Sequence, residues 1–456
     1  MDTGIRYVLI GVFCSICFIF SSSTYAKSIL SIIPTTTTYS IKLTATGRTT
    51  ILYTVTNNTQ RPINAITIDP YYGNLENQLT LMVENNNCIG TLTPSTSCTF
   101  ELLIQGNGQP TSSVLMPRVC GFNGAICSTP ILNNRIAVIS EGTSASIAYV
   151  LNASGLGFVS ICPINTNDGS LETCTNSNGE GTFNTPFGMS INTEGTAAYI
   201  VNFGSSTISI CSIAQDGTGF LNNCTTSDGN STFNSPSGVS LNSANTYLYV
   251  VNNSGDTISI CPVIQQDSSF SLGSCTTTTG NGTFSGGLGP QAISFNADST
   301  YAYIPCSAWV SICAVLQDGS GGFGTCIKVF DPTFIFPQGI SFNATATYAY
   351  VGNYTAIPQS GTVSVCPILQ DGSGTFGPCT STNGNQTFDF SSNDIVGLSL
   401  RSPSYYGYIP NNGSDTVSIC PINIITNQLD FCTTTNGNGM FSQPTAIAIS
   451  YAVTNS

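Results

Sequence analysis

Histidine is absent from the 456-residue chain. That removes imidazole as a general base, the Ser-His-Asp arrangement and histidine metal ligation. Charge is scarce as well, with 7% of residues ionic and a formal net charge of −13. The imbalance is uneven. Residues 27–132 hold Lys27, Lys42, Arg48, Arg61 and Arg118 against Asp69, Glu76, Glu84 and Glu101, a net of 5 − 4 = +1. From residue 133 onward Arg135, Lys328 and Arg401 face 17 carboxylates, a net of 3 − 17 = −14. Such a surface repels phosphate backbones and anionic lipid, so no nucleic-acid partner is expected. Past residue 20 no stretch is apolar enough to span a bilayer, so no integral membrane segment is expected in the mature chain. Convincing helical periodicity is missing past the same point.

The first 26 residues are different. Arg6 lies in a short polar start, Tyr7 to Phe20 is apolar, and Ser21 to Ala26 is a small-residue exit. This reads as a signal peptide over 1–26, cleaved after Ala26, and predicts export to the periplasm, cell surface or medium.

Cysteine is abundant, with 19 copies, of which Cys14 and Cys17 leave with the leader. Spacing pairs sixteen of the others: Cys88/Cys98, Cys120/Cys127, Cys162/Cys174, Cys211/Cys224, Cys261/Cys275, Cys313/Cys326, Cys366/Cys379 and Cys420/Cys432. Cys306 is left as a free thiol. In the last six pairs the first cysteine ends a β-like run, a turn such as Asp371-Gly372 lies midway, and the second cysteine opens the next run. Residues equidistant from a hairpin turn face each other at bridging distance. Asp168, Asp216, Asp318 and Asp371 each precede Gly and read as turn formers. Dense disulfides imply an oxidising compartment, and spacings this wide do not make a zinc knuckle.

Repetition organises the remainder. A Tyr-to-Asn unit occurs at Tyr149–Asn152, Tyr199–Asn202, Tyr249–Asn252, Tyr350–Asn353 and Tyr408–Asn411, and Tyr303–Cys306 is a sixth copy with Cys for Asn. A phenylalanine in a Gly-rich loop keeps step as Phe183, Phe233, Phe284, Phe334, Phe388 and Phe441, expected to pack between units. A period near 50 residues fits a four-stranded propeller blade. One unit reads as strands at 187–191, 198–201, 207–211 and around Cys224. The expected fold is all-β, an Ig-like β-sandwich over 27–132 followed by a β-propeller over 133–456 with intra-blade disulfides. Six blades are expected, or seven if linker and tail build a composite blade. The strand-like Ala446–Ser450 is a candidate to close the ring.

The Tyr-Val-x-Asn units, above all Tyr249-Val250-Val251-Asn252, resemble bacterial YVTN-type β-propellers, as does the terminal Tyr451-Ala452-Val453-Thr454-Asn455. That resemblance covers about two-thirds of the chain and implies surface, binding or lactonase-like proteins. Asn87 to Phe100, with Tyr53-Thr54-Val55-Thr56-Asn57 upstream, resembles hydin-type and choice-of-anchor Ig-like modules. These imply a spacer or adhesion scaffold.

Candidate ligand-binding residues follow from the repeat. Asn152, Asn202, Asn252, Asn353 and Asn411 end equivalent strands and could form a ring of amides for a sugar or peptide. The competing reading gives each a left-handed conformation that completes a turn. Asp256 and Asp415 close near-identical loops three units apart, where calcium or a polar ligand is conceivable, and solvated turns are the alternative. Trp309, the sole tryptophan, neighbours Cys306 in the most divergent unit and marks either a binding edge or core packing. No catalytic residue, metal ligand or cofactor is otherwise expected. The sequence therefore favours an exported binding protein for a protein or glycan. A lactonase-like or metal-assisted hydrolase is the alternative, and a structural envelope subunit a third reading.

Overall fold

The computed structural model describes residues 29–35, 40–43, 47–70, 79–106, 111–131, 134–140, 146–165, 168–267, 269–343, 345–356, 359–390, 398–400, 406–423 and 425–451. The expected leader and its cleavage site after Ala26 lie outside the described residues. Among the described residues there is no α-helix, and none is long and apolar enough to cross a membrane.

The N-terminal part is built from three antiparallel or mixed sheets around one core. Leu30–Pro34, Arg48–Asn57, Ser97–Gly106 and Leu79–Glu84 pair in that spatial order. Alternation along Arg48–Asn57 buries Ile51, Tyr53 and Val55 and leaves Thr50 and Leu52 exposed, as a half-buried strand requires. Tyr53 stacks on Phe100 at 5.2 Å in the shared core. Cys88–Cys98 and Cys120–Cys127 are disulfides here. Ile136–Ser140 belongs to this unit, pairing parallel with Ser40–Leu43 and antiparallel with Thr111–Leu115. The strand lies beyond the expected boundary at 132; Ile136 and Val138 enter the N-terminal core, whose burial outweighs proximity to the repeats.

From residue 146 the chain forms a β-propeller of antiparallel sheets, each ordered a-b-c-d. The second sheet shows the pattern: Pro186–Ile191 (a), Ala197–Asn202 (b), Thr207–Ile213 (c) and Leu221–Ser227 (d). Five further sheets have the same a-b-c-d core, with a on Pro236–Leu241, Ser294–Phe295, Pro337–Phe342, Ser399–Leu400 and, for the first sheet, Pro444–Tyr451. That last strand lies near the C-terminus, yet it pairs with Ser146–Asn152, so the first and last strands of the propeller share one sheet. Pairing of this kind removes a free edge. The third sheet carries an extra hairpin, Thr257–Gln266 with Ser269–Leu272.

Hydrophobic clusters sit between sheets rather than inside them. One joins first and second sheets through Tyr149, Ile161, Phe183 and Ile200, and another joins sixth to first through Tyr408, Val417, Phe441 and Ile447. All six repeated phenylalanines are buried in such clusters. Gly179 shows how one is seated: its φ of +58° suits glycine, and a Cβ there would overlap the Phe183 ring.

Six disulfides join the c and d arms of single sheets: Cys162–Cys174, Cys211–Cys224, Cys261–Cys275, Cys313–Cys326, Cys366–Cys379 and Cys420–Cys432. Their Cα separations are 4.0 to 4.3 Å. Each closes a loop worth about 3 kcal/mol on the chain-entropy account. All eight expected pairs are formed, and Cys306 is unpaired and buried.

The place of the second cysteine needs a correction. The repeat pattern has it open strand d, although the second unit reads with strand d around Cys224, as is found there. Cys224 and Cys326 instead lie inside their strands, Leu221–Ser227 and Phe323–Val329, with Cys326 directly opposite Cys313. Cys174, Cys275, Cys379 and Cys432 stand one residue ahead of strand d, which begins at Thr175, Thr276, Thr380 and Thr433. The cause is the residue after the first cysteine. It is Ser212 or Ala314 in the first group and Pro163, Pro262, Pro367 or Pro421 in the second. Proline has no N–H to give the ladder, so regular c–d pairing stops there. Its carbonyl still accepts one bond, from Glu172, Gly273, Gly377 or Asp430 respectively, each at 2.8 Å. The disulfide therefore bridges the point where the ladder is interrupted.

Candidate functional site

The five repeat asparagines are fully buried; four end strand b, and Asn353 lies inside a strand that runs on to Ala356. The Nδ2 of each donates to a strand-c serine: Asn152 to Ser160, Asn202 to Ser209, Asn252 to Ser259, Asn353 to Ser364 and Asn411 to Ser418, at 2.8 to 3.0 Å. The Oδ1 of each accepts an N–H of the loop leading into strand a, from Ser442, Asn184, Asn234, Ile335 and Asp389 respectively. The serine hydroxyl then donates to a carbonyl of the same loop, for instance Ser259 to Thr232. Buried polar groups must be paired, and this triad pairs three at once. The amides thus stand behind the loops and not at a surface. Nor are they left-handed: Asn252 has φ −100°, and the left-handed residue of its turn is Asp256 at φ 47°.

The fourth sheet solves the same problem differently. Cys306 cannot supply the amide, and its Sγ lies 3.7 Å from Ser311 Oγ. The Trp309 indole N–H enters instead, donating to Ser311 Oγ at 3.1 Å and to the Thr283 carbonyl at 3.0 Å. Ser311 keeps its own bond to Thr283. Burial pushes the Cys306 thiol up to about 12, against the opposing pull of Ser311 and Lys328, so it stays protonated and unreactive. The Trp309 ring carries the Lys328 ammonium 3.9 Å from its centroid and packs near Phe330.

Asp256 and Asp415 occupy equivalent left-handed turn positions in the third and sixth sheets. Asp415 accepts the Gln443 N–H. Among the described residues no three His, Cys, Asp or Glu side chains gather as a metal site, so neither aspartate belongs to such a group. Asp216, Asp318 and Asp371 cap their turns, and the hydroxyl and N–H of Thr218, Ser320 and Ser373 hold these carboxyls below the usual range.

Sequence reasoning missed two rings of serine. The first is the strand-c set just described, visible as Ser-x-Cys at Ser160, Ser209, Ser259, Ser311, Ser364 and Ser418. The second lines the axis. Ser190, Ser240, Ser294, Ser341 and Ser399 pair across to the repeat tyrosines, nine residues on in each case, and face a cavity of about 500 Å³. In the first sheet Ala448 takes that place opposite Tyr149. Gly188, Gly238, Ile340 and Leu398 complete much of the wall, and among the described residues no ionisable side chain lines it. The cavity reaches the a–b turns at Thr193, Ser243 and Ala297, the end opposite the loops entering strand a. At the loop end, Ser237 donates to the Gln291 carbonyl and Thr445 to that of Pro186, and all four residues are buried between neighbouring a strands.

Tyrosines tie sheet to sheet. Tyr149 donates to the Gly219 carbonyl, Tyr249 to Gly321, Tyr303 to Gly374, Tyr350 to Asn427 and Tyr408 to Gly169, each reaching the c–d turn of the next sheet at 2.8 Å. Burial pushes the Tyr149 hydroxyl up to about 12, despite a bond with Ser450, and raises Tyr199, Tyr249, Tyr303 and Tyr350 in the same direction.

No family model matches the chain, and no curated protein does. Solved structures of similar shape include a Bacteroides fragilis protein provisionally described as a 6-phosphogluconolactonase, 13% identical, covering 84% of this chain and 100% of that one at a TM-score of 0.47. A Pseudomonas aeruginosa periplasmic gluconolactonase is 15% identical over 64% of this chain and 83% of its own, TM-score 0.44. A Lactobacillus plantarum protein is 13% identical over 68% and 100%, TM-score 0.48. Likeness at this level carries no information on activity.

Proposed function

We propose that this chain is an exported binding protein, with a six-bladed propeller carried behind an Ig-like sandwich, that holds a protein or glycan ligand on the propeller's loop surface. The observation that carries the reading is the chemistry of the axial cavity and the buried triads. The cavity wall carries hydroxyl, carboxamide and hydrocarbon side chains, and among the described residues none of them is ionisable. The polar groups near the loops are already spent on holding those loops. A lactone hydrolase needs a group to polarise the carbonyl and a base to activate water, and among the described residues no carboxylate lines the cavity to act as that base. Six interface clusters and the shared first sheet support six blades. A core shared by three small β-sheets, the largest ordered Leu30–Pro34, Arg48–Asn57, Ser97–Gly106 and Leu79–Glu84, supports the Ig-like reading of the first part. The disulfides support an oxidising compartment.

The experiment uses the oxidised mature chain. It is immobilised and presented with a glycan array and with purified envelope and extracellular proteins, and tested in parallel for lactone hydrolysis with and without calcium. Saturable retention lost on reduction, with no turnover, is the expected result. Turnover that Asp256→Asn or Asp415→Asn abolishes would establish the hydrolase instead.

A further inference from the structure

The repeats act as internal controls for one another, and one sector of the loop surface departs from the rest. The residue before strand a is held the same way in several sheets. Its carbonyl accepts from the b–c turn, as Thr185 from Phe203, Ser235 from Asn253, Gln443 from Ala153 and Phe336 from Tyr354. All four have positive φ, between 47° and 51°. Three are polar and the fourth is phenylalanine. An aromatic side chain in that conformation is strained, and exposure gives nothing back to the fold. The residue before it is Asn184, Asn234 or Ser442 elsewhere and Ile335 here.

The apolar character continues into the neighbouring turn. Ser235 N–H meets Ser206 of the previous sheet's b–c turn, and Gln443 N–H meets Asp415 likewise. Phe336 and Phe330 belong to the one loop that leads from strand d of the fourth sheet, ending at Val329, into strand a of the fifth, starting at Pro337, and the fourth sheet's b–c turn is Ser307-Ala308. Ser307 in turn binds the Leu288 N–H, and Trp309 packs near Phe330. Leu288, Phe330, Ile335 and Phe336 are 41 to 66% exposed. Beside them lies Lys328, pinned over Trp309 and donating to the Ser285 carbonyl with ammonium protons to spare. Among the described residues from 146 onward it is the only cation, on a surface otherwise acidic. A side chain that is bulky, strained and exposed, in the same loop as Phe330, whose neighbour Trp309 carries the Lys328 ammonium, has the composition of a recognition patch.

Resting on the binding reading above, we infer that this sector docks a partner protein through a segment that sets aromatic or aliphatic side chains beside a carboxylate. The apolar side chains cover Phe336, Phe330 and Leu288, and the carboxylate meets Lys328. The acidic remainder of the ring disfavours alternative registers, which makes Lys328, the only cation among the described residues from 146 onward, the orienting contact.

Trp309 is the sole tryptophan and reports the patch directly. The oxidised full chain is titrated with a capped, tryptophan-free hexapeptide bearing Glu between Phe and Leu, and with its Lys-for-Glu twin. Expected are a saturable change in Trp309 fluorescence for the acidic peptide that weakens with salt, and about tenfold weaker binding of the twin. Phe336→Asn should weaken binding about tenfold, and Lys328→Gln about fivefold. Phe431→Ser, removing another exposed phenylalanine, should leave it within about twofold. Phe336→Asn should also melt no lower than the parent, because Asn tolerates positive φ. Equal binding of the twins, no saturable change with either, or full binding by Phe336→Asn overturns the inference. So does maltohexaose changing Trp309 fluorescence while the peptides do not. A ligand found in the array screen whose retention survives Phe336→Asn with Lys328→Gln would sink this patch and leave the broader binding reading standing.

Discussion

The second and fourth sheets do the same job with different side chains. In the second, Asn202 supplies two hydrogen-bonding groups to Ser209 and to the incoming loop. In the fourth, the equivalent residue is Cys306, a weak donor, and Trp309 reaches in from strand c where the second sheet has Thr207. The lesson is that the serine must be satisfied, whereas the donor's origin is free. With its indole committed to this repair, Trp309 is buried and carries Lys328 and Phe330 on its ring, whereas the second sheet presents Phe203 in its b–c turn.

The sharpest way to break the comparison is Trp309→Thr. It removes a large side chain and leaves Ser311 without its donor, so stability should fall by about 3–5 kcal/mol in denaturant titration. Adding Cys306→Asn should restore much of that loss, because Asn then plays the role it plays at 202. A double variant no more stable than the single one would show the two arrangements are not equivalent. Removing the Cys211–Cys224 clamp by Cys211→Ala with Cys224→Ala should cost about 3 kcal/mol. Asn252→Ala orphans Ser259 and the Asn234 N–H and should cost about 1–3 kcal/mol, whereas Cys306→Ala should cost about 1–2 kcal/mol at most. Proteolysis of the Ser231–Ser235 loop would locate the first effect.

The smallest effect is one of pH. Folded Tyr149 keeps its proton to about 12, while an unfolded tyrosine loses it at about 10. Its contribution to stability is therefore complete below about pH 10 and is lost as pH rises through about 12. Absorbance of tyrosinate should show the exposed tyrosines titrating first and the repeat tyrosines ionising together with unfolding. Independent early ionisation of all tyrosines would mean the Tyr149–Gly219 type of tie is not formed in solution.

Much of the fold was legible because it is local. A Tyr-to-Asn strand, a Ser-x-Cys strand and a midway turn lie within one period, so alternation and turn residues give strands b, c and d and every disulfide without distant information. Where strand d begins was less clear, although the Pro after Cys162, Cys261, Cys366 and Cys420 carried the signal that Cys174, Cys275, Cys379 and Cys432 would fall outside it. The candidate site was harder still. Asn at a strand end is compatible with solvent, a turn or a buried network, and only the partners' positions separate these. Asn202 takes its partners from a loop 18 residues back and a strand seven residues on. The axial serines were readable as a residue nine before each tyrosine, but Ser140 has that spacing too and lies in the N-terminal unit, opposite Thr111.

The amino-acid sequence by itself determined which segments are strands, where they turn and which thiols meet, since each depends on contacts within a few tens of residues. Tertiary structure decided that Pro444–Tyr451, a candidate closing strand in the sequence, pairs with Ser146–Asn152, that Ile136–Ser140 joins the other unit, and that a tryptophan covers for an asparagine. These outcomes rest on pairing and burial between segments up to about 300 residues apart, or across sheets, where spacing along the chain carries no signal.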